Sequence, residues 1–396
     1  KVCVVLMQPF PYFVGGIREH IISIFSRLTD DNEILVITSK YSSKDIKSVG
    51  GIKIERIGML KYRPLHSQQH ILATFLYFFL FYFTYSIHLV LKIMKLCLFE
   101  NFDIIHLQDT FSWPASICKL FRKKLVVTYH GFFSSGFRKL YLMEGKKFML
   151  PFSYVLEFFG LFLLLVCDKA IFLSKYHAEY YSKYKHNIVV IPNGIDLRMF
   201  KPDKKMGENA RKKFKLNKNT FVIGFLGRLT EQKGIRKAVL SFNYLIKRFK
   251  VKNVRMVIAG EGPLKKWLVS FIENKHLNNK CLYLGYVDNQ AEIYNLSDIM
   301  IMLSEFEGLP ISLLEAMACG KPIISTDIRE IKDVLRDCGI YVKAGSSIKD
   351  IAFTLYNVLK NRKRLNIIKR KVLLYIQEYN LTNIVNSYRE LYNKIS

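Results

Sequence analysis

Residues 305–324 read EFEGLPISLLEAMACGKPII and set two carboxylates, Glu307 and Glu315, on either side of Gly308-Leu309-Pro310. Pro310 suits the first turn of a helix, 313–318 are helix formers, and Gly320 suits the position just past a helix end. The pattern predicts a short helix over 310–319 and then a buried apolar strand over 322–325. Glu307 falls in the loop before that helix, and Glu315 lies about one and a half turns inside it. The backbone N–H groups of Leu309, Ile311 and Ser312, at the positive end of the helix dipole, favour a phosphate there. Carboxylates beside a phosphate suit sugar hydroxyls. Taken alone, a solvated loop charge and a surface helix residue explain the two glutamates as well, so other segments must decide.

Composition narrows the classes. The chain of 396 residues is long enough for two domains, and a hydrophobic fraction of 50% excludes disorder. Lys and Arg number 61 against 32 Asp and Glu, a formal charge of +29 that points to a polyanionic partner: nucleic acid, an anionic membrane surface or phosphorylated substrates. The seven cysteines are scattered without a C-x-x-C pair, which argues against a disulfide framework or a zinc site and fits a reducing cytosol. Residues 2–7 are too short for a signal h-region and read as a buried first strand.

Strand-like runs recur between helix-like runs at 2–7, 34–38, 104–107, 125–128 and 170–173, and again at 221–226, 255–259, 282–284, 299–303 and 322–325. Continuous apolar strands alternating with helices predict parallel sheets covered on both faces. Two doubly wound, Rossmann-like α/β domains follow, with a break near IPNGID at 191–196. Ligands of such folds bind outside the carboxyl ends of the strands, so two facing domains enclose a central cleft. The loops after the strands carry the informative residues. Gly15 and Gly16 open a helix after the first strand, and His130 ends KLVVTYHG. GRLTEQKG supplies Arg228 and Lys233, a fork and a point charge suited to a diphosphate. AGEGPL at 259–264 is a glycine turn. There is no P-loop, no G-x-G-x-x-G after a strand, and no D-x-D to hold a metal on a diphosphate. The expectation is a site without metal or cofactor.

In order, Gly15-Gly16, His130-Gly131, IPNGIDLRMF, GRLTEQKG, AGEGPL, LYLGYVDNQAEIYNLSDIMIMLS and EFEGLPISLLEAMACGKPIISTD resemble glycosyltransferase family 4, a GT-B group of retaining sugar-nucleotide transferases. The resemblance implies an acceptor-binding domain over 1–190, a nucleotide-sugar domain over 191–375, and a C-terminal helix over 376–396 packing back on the first. It implies that Arg228 and Lys233 bind the donor diphosphate, Glu307 the donor sugar and Glu315 the ribose. The backbone at Gly308, Leu309 and Pro310 meets phosphate, Gly15 and Gly16 make room for it, and His130 stands near the donor sugar. Catalytic roles fall to His130, Glu307, Arg228 and Lys233. The implied reaction moves a hexose from a UDP- or GDP-sugar to a hydroxyl acceptor by front-face displacement without metal. The sequence departs from the family at Asp327-Ile328, where Gly-Gly is frequent, and at Leu303-Ser304, where Pro-Ser is. A sugar-nucleotide 2-epimerase of the same fold and a basic nucleic-acid-binding protein are the alternatives, although no aromatic-basic nucleic-acid motif occurs.

Two apolar runs remain. From 64 to 91 no Asp, Glu, Lys or Arg appears, and 148–166 carries only Glu157. The first is long enough to span a bilayer. Its Tyr, Thr and His content instead suggests an interfacial helix, with Lys92, Lys95, Arg122, Lys123 and Lys124 nearby. The expected setting is cytoplasmic, peripheral on the inner face of the membrane, with a glycan or lipid-linked acceptor.

Overall fold

The computed structural model describes every residue except 13–14, 42–45, 62–70, 132–134, 144, 146, 186 and 396. The chain divides into two compact units, one of Lys1–Tyr141, Lys146–Gly194 and Leu381–Ser396, the other of Leu142–Gly145 and Ile195–Asn380. Of the apolar run 64–91, residues 64–70 lie outside the described residues.

In the first unit the elements run β1 (Val2–Val5), α1 (Gly16–Leu28), β2 (Ile34–Ser39), β3 (Ser48–Val49), β4 (Ile52–Ile57) and α2 (Ile71–Phe99). They continue through β5 (Ile104–Leu107), a 3-10 helix (Thr110–Phe121), β6 (Lys124–Tyr129), α3 (Ser135–Met143) and α4 (Leu150–Val166). β7 (Lys169–Phe172), α5 (Lys175–Ser182) and β8 (Ile188–Val190) complete the sequence. The eight strands order as β3-β4-β2-β1-β5-β6-β7-β8, and all pairs are parallel except β3 with β4. Alternate side chains of β1 face opposite cores: Cys3 and Val5 pack under α2 and α4, while Val2 and Val4 pack under α1 and the last helix of the chain.

The second unit holds α6 (Lys204–Lys213), β9 (Phe221–Leu226), α7 (Ile235–Phe249), β10 (Val254–Ala259), α8 (Lys265–Asn274), β11 (Cys281–Tyr283) and α9 (Gln290–Leu296). It ends with β12 (Ile299–Met302), α10 (Ile311–Ala318), β13 (Ile323–Thr326), α11 (Arg329–Leu335), β14 (Ile340–Val342), α12 (Ile348–Lys360) and α13 (Arg362–Tyr375). The order β11-β10-β9-β12-β13-β14 is fully parallel. Its crossovers leave in opposite directions from β9 and β12, which opens a ligand crevice at the carboxyl ends of those two strands. The final helix α14 (Leu381–Ile395) lays Leu381, Ile384, Val385, Tyr388, Leu391 and Tyr392 on Ile21, Ile24 and Phe25 of α1. That return begins at Leu381 rather than 376: the turn Ile376–Tyr379 stays with the second unit, where Ile195 N donates to Tyr379 O at 2.9 Å.

Three loops of the second unit are packed backbone to backbone. Gly227 N donates to Ala259 O at 3.1 Å, Leu229 N to Glu261 O at 2.9 Å and Leu264 N to Leu229 O at 3.0 Å. A Cβ at Gly260 would lie 1.9 Å from Gly227 O, and one at Gly234 would lie 2.2 Å from Leu303 O. The AGEGPL glycines therefore exist to admit the neighbouring loop. Gly260→Ala should destabilise the second unit by at least about 2 kcal/mol in urea unfolding, through clash added to positive φ. Gly345→Ala has a positive φ (+86°) but open space around it, and should cost only strain, about 1 kcal/mol. Equal losses in the two variants would mean that the loop packing is not tight.

Candidate active site

The site of the second unit is built where β9 and β12 end. Gly234, at φ +70°, turns the chain into α7 and brings the preceding loop against the end of β12. Gln232 ties the two together: its O accepts from Glu305 N at 2.9 Å and its Nε2 donates to Phe306 O at 3.1 Å. This clamp delivers Lys233 to Glu307, with Nζ 2.6 Å from Oε1 and both side chains largely withdrawn from water. Arg228 stands on the same loop, where its guanidinium reaches Gln232 Oε1 at 3.4 Å.

α10 begins one residue later than the sequence pattern predicts, because Pro310 keeps an extended ψ of 123° and serves as the cap residue. It gives no side-chain cap, and Leu313 N donating to Pro310 O at 3.0 Å is the first helical bond. The N–H groups of Ile311 and Ser312 thus belong to the unpaired first turn. Leu309 is buried beside them, and Gly308 lies in the loop between Glu307 and that turn. At the other end Gly320, at φ +67°, terminates the helix as predicted. Glu315 is fixed by Tyr294, whose hydroxyl lies 2.6 Å from Oε2 and 3.2 Å from Ser312 O. Burial, with the Glu315 carboxylate beside it, holds the Tyr294 phenol well above its ordinary pKa, so it remains a donor. Sequence reasoning missed Tyr294 and Gln232, although both lie inside quoted motifs; a tyrosine on a buried helix reads as core.

In the first unit, Gly15 precedes α1, and no described residue lies within 4 Å of where its Cβ would stand; Gly16 opens the helix. His130 directly follows β6, half-buried, with Nε2 2.9 Å from Gln108 Oε1. Gln108 Nε2 faces His106 Nε2 at 3.3 Å, and His106 Nδ1 lies 2.6 Å from Tyr392 Oη. His20 contacts the His130 ring edge-on at 5.0 Å and pairs Nδ1 with Asn193 Oδ1 at 2.8 Å. With the amide so oriented, Gln108 donates to His106 Nε2 and accepts from His130 Nε2–H, which leaves His130 Nδ1 as an acceptor. Burial and the neighbouring imidazoles hold His130 well below the ordinary value. Burial lowers His20 to about 4, and burial with His20 lowers His106 to about 3. Gln108 and His106 were not foreseen, because only the register of β5 beside β6 brings them to His130.

The sequence pattern described as Glycosyltransferase Family 4 matches residues 14–198, and that described as Glycosyl transferases group 1 matches 206–372. The chain belongs to glycosyltransferase family 4. The transferase is 25% identical over 319 residues to the N-acetyl-alpha-D-glucosaminyl L-malate synthase of Bacillus anthracis, covering 78% of this chain and 79% of that one. It is 30% identical over 253 residues to the Escherichia coli UDP-Gal:alpha-D-GlcNAc-diphosphoundecaprenol alpha-1,3-galactosyltransferase, covering 60% and 61%. Its fold matches Anabaena HepE, solved in complex with UDP, with a TM-score of 0.77 at 16% identity over all of both chains. The family 4 transferase thus has the GT-B fold.

The buried histidines give the first unit a pH signature. Unfolded, each ring binds a proton near pH 6.5; folded, His20 and His106 do so only near 4 and 3. The unfolded state then holds more protons below pH 6.5, so stability is full above that pH and falls as pH drops toward 4. The slope is about 1.4 kcal/mol per pH unit for each ring. Urea midpoints at pH 7 and pH 5 should differ accordingly, and His106→Gln should flatten the difference. A midpoint independent of pH in the wild type would show that these rings are not held neutral.

Proposed function

We propose that the transferase moves a hexose, with retention of configuration, from a UDP-sugar to a hydroxyl of a lipid-linked glycan precursor at the cytoplasmic face of the membrane. The observation that carries this reading is the Lys233–Glu307 pair at the crevice between β9 and β12, beside the open first turn of α10. A cation and free amides suit a diphosphate, and a carboxylate next to them suits sugar hydroxyls. The Escherichia coli relative, by its name, uses UDP-Gal and a diphosphoundecaprenol-linked acceptor, which supports the donor and acceptor class.

In the proposed step the acceptor oxygen bonds to the anomeric carbon on the face from which the diphosphate departs. The carbon–phosphate oxygen bond breaks, and the acceptor proton passes to the departing phosphate. Arg228, Lys233 and the α10 amides take up the charge that builds on the diphosphate. Glu307 orients the sugar, Glu315 steadied by Tyr294 takes the ribose, and His130 serves the donor sugar. Gly15 and Gly16 leave room for phosphate. This reading assigns no metal to the step.

A panel of radiolabelled nucleotide sugars with a lipid extract finds the donor, and the anomeric proton coupling of the product reports configuration. Arg228→Ala and Lys233→Ala should each reduce turnover at least about a hundredfold without unfolding the chain, and EDTA should leave the rate unchanged. Wild-type rates in either variant, an inverted product, or activity lost to EDTA and restored by Mn²⁺ would each contradict the corresponding part.

A further inference from the structure

The first unit carries a helix that is apolar on both sides. Toward the sheet, α2 buries Phe78, Phe81, Tyr85, Leu89, Ile93 and Leu96 at helical spacing. On its other side Phe79 is 71% exposed, and Leu76, Phe83, Ile87 and Leu91 are exposed with it. An ordinary surface helix places charge there. Instead, no side chain between residues 76 and 91 is charged; Thr84 Oγ1 donates to Phe81 O at 3.0 Å and His88 Nδ1 bonds Thr84 O at 2.7 Å within the helix, while Tyr82 Oη donates to Phe111 O at 3.0 Å. Such internal bonding is what a polar side chain needs away from water.

Two further helices pack beside α2 through its core side. Phe78 meets Phe111 of the 3-10 helix and Phe152 of α4 at 6.0 Å between ring centres, and Trp113 stacks on Phe159 at 4.5 Å. Three helices therefore lie side by side on one face of the sheet. Leu120 is 78% exposed on the second, and Phe158 65% and Leu165 63% on the third. The C-terminal ends of all three lead into β5, β6 and β7, and so share the amino edge of the sheet. Cations stand at each: Lys95 near the end of α2, Arg122 and Lys124 just past the 3-10 helix, and Lys185 donating to Leu165 O at 3.0 Å. Arg122 and Lys124 hold no ion pair among the described residues.

We infer that this three-helix face is a docking surface for an anionic bilayer, with the apolar side chains in the headgroup and acyl boundary and the basic rim on lipid phosphates. α2 is long and apolar enough to cross a membrane over Leu76–Phe99, yet crossing would strip six core residues from the sheet, so the helix lies on the surface. A bilayer fits better than a second copy. A two-fold contact sets a net basic rim against itself, Lys95 and its Glu100 partner included, whereas anionic headgroups supply the opposite charge to Arg122 and Lys124. The three helices run antiparallel to the strands, so their amino ends point to the carboxyl edge of the same sheet, where Gly15 and His130 lie. The inference rests on the lipid-acceptor reading only for its purpose.

The test is co-sedimentation of the whole chain with vesicles of phosphatidylcholine alone or with phosphatidylglycerol, at low and high salt. The variants are Phe79→Ser/Phe83→Ser/Leu120→Ser/Phe158→Ser and Arg122→Gln/Lys124→Gln. All six positions are exposed at the surface or just past a helix end, and circular dichroism confirms that each variant folds. The wild type should pellet with the anionic vesicles, at least tenfold more than the apolar variant at either salt. The basic variant should bind several-fold less at low salt and show a weaker salt dependence, since Lys95 and Lys185 remain. Wild type remaining in the supernatant, or an apolar variant that pellets equally, overturns the inference. So does light scattering that gives two chains for the wild type and one for the apolar variant, since the face would then be a dimer contact. Vesicle binding without transfer to any lipid-linked acceptor leaves the docking surface standing and refutes the acceptor reading alone.

Discussion

The second unit of this transferase depends on how closely three backbones can approach. The loop from Gly227 to Gly234 lies between the turn after β10 and the end of β12, at distances that leave no room for a Cβ at Gly260, Gly262 or Gly234. That packing is a steric constraint before it is a chemical one. It fixes Gln232 against Phe306 and thereby brings a lysine from one crossover to a glutamate from another. Without it, Lys233 and Glu307 would be two solvated charges on separate loops, worth little to each other. Held together and partly dehydrated, they form a close ion pair at the crevice between β9 and β12.

The first unit solves a different problem with the same topology. Its strand order also reverses at the centre, between β1 and β5, but the groups gathered near that point are neutral imidazoles, amides and phenols rather than ion pairs. Burial keeps them uncharged, and the bonds from Tyr392 through His106 and Gln108 to His130 reach from the last helix to the sheet edge. The C-terminal helix is thus part of the first unit's polar interior as well as its core. A chain shortened before Tyr388 would lose both.

Legibility in the sequence followed burial. Strands that are buried on both faces, such as 221–226 and 104–107, appear as unbroken apolar runs and were placed to the residue. The strands not foreseen, β4, β8 and β14 with the short β3, lie at or next to sheet edges, where Lys53, Glu55 and Arg56 break the run and mask the period. Glu307, Lys233 and Arg228 were legible because loop motifs keep residue types and spacing together. Tyr294, Gln108 and His106 were not, because their role arises from strand register and helix packing over distances that no local motif spans. The AGEGPL glycines were legible as a turn but not as a steric need of another loop. The apolar run of α2 announced its hydrophobicity, while only the fold separates the side that serves the core from the side that faces outward.

The central claim is that Lys233 and Glu307 divide phosphate from sugar within one ion pair. Calorimetric titration of UDP into the wild type, Lys233→Met and Glu307→Gln, all in EDTA, tests it most directly. Lys233→Met should weaken UDP at least about tenfold, since it removes the cation that meets the diphosphate. Glu307→Gln should bind UDP as tightly as the wild type or more so, because the lysine no longer has a competing carboxylate. If Glu307→Gln weakens UDP as much as Lys233→Met does, the pair acts as a single structural unit and the division of roles is wrong.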